Sequence, residues 1–241
     1  MSKIYFVTYA THDQGMFKQL INNEHGVKIE VLGMGLPWNG YFDKVKACEK
    51  FVGDKQPDDI VVYLDGFDTI VNTGVDDLLK HFRSYGAKIL ISIDHGLDEA
   101  SWFQDWSDRR VFGSCKGYMA NAGLWMGEVS ELKKMWRNMK RQGIEDDQRA
   151  MNSACSNSSL DISVDSNRLI FENKTRRMSP RKHEPIFVSF PFGGDPDITW
   201  YDLAHRVLWR APIEYAGFFI PEIIIILMIL IGLYVYFNYK F

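Results

Sequence analysis

Residues 60–68 read Ile60-Val61-Val62-Tyr63-Leu64-Asp65-Gly66-Phe67-Asp68, and this stretch decides the fold. Five apolar residues in a row, the first three β-branched, read as a strand buried on both faces, the kind found in parallel sheets. The run stops at Asp65, and a second carboxylate follows at Asp68. A buried strand therefore delivers two acids to its carboxyl end, where open α/β sheets bind their ligands. Hard divalent cations take oxygen ligands, and a cation held between carboxylates and a diphosphate neutralises the charge that builds on a leaving nucleoside diphosphate. The same two acids also read as ordinary loop aspartates or a helix cap.

Working outward, residues 4–9 read as a strand and 15–23 as a helix with Met16, Phe17, Leu20 and Ile21 on one face. Residues 27–32 alternate as a second strand. Three glycines and Pro37 make 33–40 a loop, and 42–52 has helical spacing. Asp76 is expected to cap a helix containing Leu78, Leu79 and Phe82, and 88–93 reads as a further strand. Strand and helix thus alternate through the first 95 residues, which predicts a parallel, doubly wound sheet. Beyond residue 100, the reading gives a strand over 118–126 and a helix over 131–141 with Leu132, Met135, Trp136 and Met139 on one face. Residues 146–155 look helical, 160–164 and 186–190 are short strands, and 197–209 is an amphipathic helix.

Composition narrows the class. The chain has 241 residues and a formal net charge of -3, so it carries no basic footprint and no nucleic-acid partner is expected. Cys48, Cys115 and Cys155 are far apart, odd in number and without a CxxC or Cys/His cluster. That pattern points away from zinc and towards three half-buried thiols in a reducing compartment.

Residues 218–237, FFIPEIIIILMILIGLYVYF, hold one charge, Glu222, and as a helix would span the roughly 30 Å of a hydrocarbon core. Tyr234, Tyr236 and Tyr239 suit the far interface, with Lys240 snorkelling there. The reading is therefore a domain over 1–210, a joint at 211–217, a transmembrane helix over 218–237 and a short tail at 238–241. Met1-Ser2-Lys3 runs into an apolar stretch too short for a secretory signal. The expectation is a single-pass protein with a C-terminal anchor in a lipid bilayer and a cytosolic catalytic domain.

Several motifs in order resemble one family. Val7-Thr8-Tyr9-Ala10-Thr11, Leu32-Gly33-Met34-Gly35 with Trp38-Asn39-Gly40, Lys44-Val45, Leu64-Asp65-Gly66-Phe67-Asp68, Asn121-Ala122-Gly123, Asp146-Asp147-Gln148, and Asp165 with Ile170-Phe171-Glu172-Asn173 are similar to the glycosyltransferase domain of procollagen lysyl hydroxylases. More distantly they are similar to the collagen galactosyltransferases. The likeness covers residues 3 to 194. It implies a GT-A-like, Rossmann-like doubly wound mixed sheet, a UDP-glucose or UDP-galactose donor, Mn²⁺ or another divalent cation, and a hydroxyl acceptor. Stand-alone relatives of this domain occur in large DNA viruses, which makes a viral source one expectation.

The resemblance also implies roles. Asp65 and Asp68 would hold the metal, Thr8, Trp38, Lys44 and Gly123 would lie along the donor, and Asn121 and Asp147 would face sugar and acceptor. Asp94 stands where the family has an acidic residue. Each residue has a second reading: Trp38 as a core indole, Lys44 as a solvated helix lysine, Asp146 and Asp147 as an acidic helix start. The family's third metal ligand is a histidine in a late His-Gly stretch. The matching segment, Phe187 to Gly194, has none, so His183, Asp195, Asp197 or a water is expected to substitute. Two other readings compete with a hexosyltransferase. One is a non-catalytic accessory module of the same fold; the other is a nucleotidyltransferase, which the absence of a GxGxxG or GxxxxGK[ST] loop disfavours.

Overall fold

The computed structural model describes residues 2–94, 102–174, 184–191 and 215–239. It divides into two compact units, Met1–Pro196 and Asp197–Phe241. The first unit is built on a six-stranded sheet in the order β2-β1-β3-β6-β5-β7. The strands are β1 (Ile4–Tyr9), β2 (Ile29–Leu32), β3 (Ile60–Asp65), β5 (Ile89–Ile93), β6 (Ala120–Glu128) and β7 (Ile162–Val164). β1 lies parallel to β2 and β3, and β5 lies parallel to β7, but β6 runs antiparallel to both β3 and β5. The four strands read in the first 95 residues, β1, β2, β3 and β5, all run one way, and β6 entering antiparallel between β3 and β5 makes the sheet mixed, in line with a GT-A domain.

β3 occupies the middle of the sheet, and its alternate side chains enter two different cores. Val61 and Tyr63 join a layer under α2 (Phe42–Phe51), α5 (Val129–Arg141) and α6 (Asp147–Ala154). Ile60, Val62 and Leu64 join the opposite layer with α1 (Phe17–Ile21) and α3 (Leu78–Ser84). Burial on both faces is why the run is continuously apolar. On the α5 side the core is aromatic. Tyr63 stacks on Trp125 at 4.9 Å, and Trp125 meets Trp136 edge-on at 5.7 Å. α5 forms because Leu132, Met135, Trp136 and Met139 recur at helical spacing and all are buried.

Three elements escape the sequence reading: β4 (Thr69–Val71), β8 (Phe171–Asn173) and α4 (Trp102–Phe112). β4 and β8 sandwich β9 (Phe187–Ser189) in a second, three-stranded sheet. The expected cap Asp76 is also corrected: the residue at the start of α3 is Asp77, and its side chain makes no capping bond.

The cysteine expectation is overturned. Cys115 and Cys155 form a disulfide with Cα atoms 5.1 Å apart, and Cys48 alone of the three is a free, buried thiol. Disulfides persist in oxidising compartments, so the reduced-compartment reading loses its basis.

In the second unit, a short 3₁₀ turn (Ala216–Phe219) leads into α7 (Ile220–Tyr239). Residues Ala216–Tyr234 have a mean hydropathy of 2.6 and make a helix long and apolar enough to cross a membrane. The amphipathic helix expected over 197–209 lies outside the described residues.

Candidate functional site

The site forms at the carboxyl end of β3. Asp65 is the last residue of that strand, paired with Tyr9 across β1, and Asp68 lies three residues on. The turn between them is held from outside. Met16 N donates to Phe67 O at 2.9 Å, and the His12 ring packs on Phe67 with centroids 5.3 Å apart. Gly15, at φ +56°, approaches so closely that a Cβ there would fall 2.3 Å from Phe67 O, which only glycine tolerates.

Lys44 projects from α2 into the same region. Its side chain is 11% exposed, pairs with Asp147, and donates to Ala122 O at 3.2 Å. Its ammonium also sits 5.7 Å from the centre of the Tyr63 ring. The solvated-lysine alternative is therefore corrected. Burial pulls this ammonium down, but Asp147, Asp65 and Asp68 outweigh it and hold Lys44 above its ordinary value. Asp147 begins α6, where the Asp146 carboxylate caps the helix by accepting from Arg149 N at 2.8 Å. The acidic helix start and the buried partner of Lys44 are thus adjacent residues with different jobs.

The two β3 acids are shifted the other way. Burial pushes Asp65 up, aided by Asp147 and opposed by Lys44. Burial and the neighbouring Asp65 push Asp68 up to about 7, against hydrogen bonds from Ser189 and Thr69. A carboxylate pair this reluctant to ionise together is what a cation relieves.

β6 brings the amide side of the site. Its register with β5 jumps from Ile91↔Trp125 to Ser92↔Asn121, an irregularity that spans Gly123, which lies beside Asp65. Asn121 Nδ2 donates to Asp94 Oδ1 at 2.8 Å, while Asn121 Oδ1 accepts from Gly123 N at 2.7 Å. A Cβ on Gly123 would stand 3.5 Å from Asp65 Oδ2. Asp94, directly after β5, thus acts on Asn121 in this arrangement.

Thr8 is fully covered, and its Oγ1 has no partner among the described residues; a Cβ on Gly66 would lie 3.0 Å from it. Trp38 is half exposed rather than a core indole, leaning on Tyr9 and Tyr41 at 5.9 and 5.8 Å. A hollow of about 620 Å³ adjoins its loop, lined by Tyr9, Leu32, Gly33, Leu36, Pro37 and Asn39 among others, within the size range of small-ligand pockets.

Ser189 is the residue that sequence reasoning missed. It ends β9 and donates from Oγ to Asp68 Oδ1 at 3.0 Å. Thr69, Ser189 and Asn173 pair across the three-stranded sheet and so share one face, all buried. The signal available was the end of the apolar run Ile186-Phe187-Val188, which places Ser189 at the mouth of a strand. His183, Asp195 and Asp197 lie outside the described residues. Among the described residues no group of three or more His, Cys, Asp or Glu is set to hold a metal. The donors that do converge, two carboxylates and a hydroxyl, are hard oxygens suited to Mg²⁺ or Mn²⁺.

A mixed doubly wound sheet with paired carboxylates at the end of its central strand, and a buried cation and amides facing them, has the build of a GT-A glycosyltransferase domain. Comparison with known proteins is more specific. The profile described as the PLOD GT domain matches residues 1–181, well over half of the chain, and the chain belongs to that family. It is 25% identical over 142 residues to a Drosophila melanogaster procollagen-lysine,2-oxoglutarate 5-dioxygenase, covering 54% of this chain and 19% of that protein. It is 24% identical over 164 residues to a Caenorhabditis elegans multifunctional procollagen lysine hydroxylase and glycosyltransferase, covering 61% and 22%. The chain thus spans about a fifth of the length of these relatives.

Proposed function

We propose that the chain is a metal-dependent hexosyltransferase that moves glucose or galactose from a UDP-sugar to a hydroxyl acceptor. The observation that carries this reading is the convergence of Asp65 and Asp68 with Lys44, Asp147 and the Asn121–Gly123 amides at one strand end. Mn²⁺ or Mg²⁺ bound by Asp65 and Asp68 would supply charge neutralisation for the departing diphosphate. The chain's own groups do the rest. Lys44 holds Asp147 in place, leaving that carboxylate to accept hydrogen bonds from a sugar or acceptor hydroxyl. Asp94 fixes the Asn121 amide, and Gly123 leaves room for a sugar to approach Asp65. Thr8 and Trp38 are proposed to line the nucleotide side.

The acceptor is proposed to be protein hydroxylysine or another glycan or lipid hydroxyl. Residues 1–210 are proposed as the catalytic domain and 218–237 as a membrane anchor, with 211–217 between them. The Cys115–Cys155 disulfide supports the oxidising side of that membrane.

The test is UDP release from UDP-glucose and UDP-galactose with MnCl₂, by the full chain in detergent. Turnover that vanishes in Asp68→Ala supports the proposal; neither UDP binding nor release in the parent chain refutes it. The second reading, a non-catalytic binding module, draws on Ser189 standing beside Asp68 in the segment where the family has a histidine. It predicts neither UDP binding nor UDP release.

A further inference from the structure

The cation proposed above meets a site whose geometry specifies its ligand chemistry. Ser189 is 3% exposed and fixed by three backbone constraints: it pairs with Thr69, Lys174 N donates to its carbonyl at 2.7 Å, and Phe190 N donates to Asp68 O at 2.8 Å. Its Oγ is thereby held 3.0 Å from Asp68 Oδ1. A hydroxyl carries one proton and two lone pairs, so rotation about Cβ–Oγ turns the oxygen from donor towards a cation without moving the backbone.

A second observation points to a ligand here. Thr8 Oγ1, on the neighbouring strand and fully covered, faces Gly66 between the two acids and has no partner among the described residues. Buried hydroxyls are normally satisfied, and one left open against the Gly66 turn that joins the two acids marks a place for a bound polar species.

We propose that Ser189 Oγ is the third protein ligand of the divalent cation, completing an all-oxygen set with Asp65 and Asp68. This rests on the reading that those two carboxylates hold a cation. Its consequence is a change of selectivity. Imidazole draws a site towards nickel and zinc, whereas carboxylate and hydroxyl oxygens suit magnesium, calcium and manganese. The chain therefore uses Mg²⁺ and Mn²⁺ comparably and gains little from Ni²⁺.

The test uses the full chain in detergent, stripped of metal, with UDP present. MnCl₂, MgCl₂ and NiCl₂ are titrated by calorimetry, and bound Mn²⁺ is read by electron spin-echo spectroscopy. In Ser189→Ala, Mn²⁺ affinity is expected to fall about tenfold, and Ser189→Thr, which keeps the hydroxyl, to retain it. Ser189→His is expected to raise Ni²⁺ over Mn²⁺ affinity about tenfold and to add a nitrogen modulation to the Mn²⁺ echo that the parent chain lacks. If Ser189→His does not fold by circular dichroism, the alanine and threonine variants decide. Parent-like Mn²⁺ affinity in Ser189→Ala, alongside loss of binding in Asp68→Asn, would overturn the role of Ser189 while leaving the cation site standing. No Mn²⁺ binding by the parent chain, with or without UDP, would overturn both readings.

Discussion

Lys44→Met removes the ammonium that three carboxylates share while keeping a flexible apolar stem of similar length. The Lys44 and Asp147 side chains are 11% and 7% exposed, so their pair is hardly screened by solvent. Deleting one partner of such a pair strands the other in a poorly solvated site, which costs about 3–5 kcal/mol. The bond to Ala122 O is lost too, and its contribution of about 1 kcal/mol falls within that range. Asp147→Asn strands the lysine instead and should cost a similar amount. Removing both charges, as in Lys44→Met with Asp147→Leu, leaves nothing stranded and should cost less than the two single changes combined, by about 2 kcal/mol or more. The measurement is urea unfolding of the full chain in detergent at pH 7.5, followed by the fluorescence of buried Trp125 and Trp136. MnCl₂ should stabilise Lys44→Met more than the parent, since a divalent cation restores charge beside Asp65 and Asp68. A loss under about 1 kcal/mol, with no coupling in the double variant, would refute the view that this ion pair holds the site together.

Three further outcomes are expected. Replacing Cys115 and Cys155 together by serine opens a closed loop of 40 residues and should lower stability by about 3–4 kcal/mol, read as a reduced urea midpoint. An unchanged midpoint would show that the crosslink contributes nothing. Gly123→Ala puts a Cβ 2.9 Å from Asn121 Oδ1 and should cut UDP release about 100-fold through misplacement of Asn121 and Asp65, with Mn²⁺ binding read in parallel. Parent-like turnover would remove Gly123 from the site. The third outcome concerns pH. The folded Asp68 carboxyl, raised from 3.8 to about 7, keeps a proton that the unfolded chain has already released. Metal-free stability should therefore fall as pH rises from about 4 to 7, and the slope should shrink in Asp68→Asn or with MnCl₂ present. A slope of the opposite sign that disappears in Asp68→Asn would contradict the raised value.

The parts of this molecule that sequence reveals are those encoded locally. β3 is legible because burial on both faces demands an unbroken apolar run, and the two acids are legible because they interrupt it. α5 is legible because one face is apolar at helical spacing. β4 and β8 exist because β9 pairs with both, and that long-range pairing leaves no mark in either segment's own residues. The site's decisive pairings are long-range: Lys44 meets Asp147, and Cys115 meets Cys155 across 40 residues, without any spacing to announce them. Ser189 is the extreme case. A serine has no characteristic pattern, and only the fold sets it beside Asp68.

The position of β3 has one more consequence. Sheets fray from their rims, and here the rims are β2 and β7, whereas the strand bearing the two acids is clamped between β1 and β6 and between two apolar layers. A variant weakened at either margin should keep Asp65 and Asp68 in place until the whole domain melts at once, so an intact strand end is a poor certificate of an undamaged periphery.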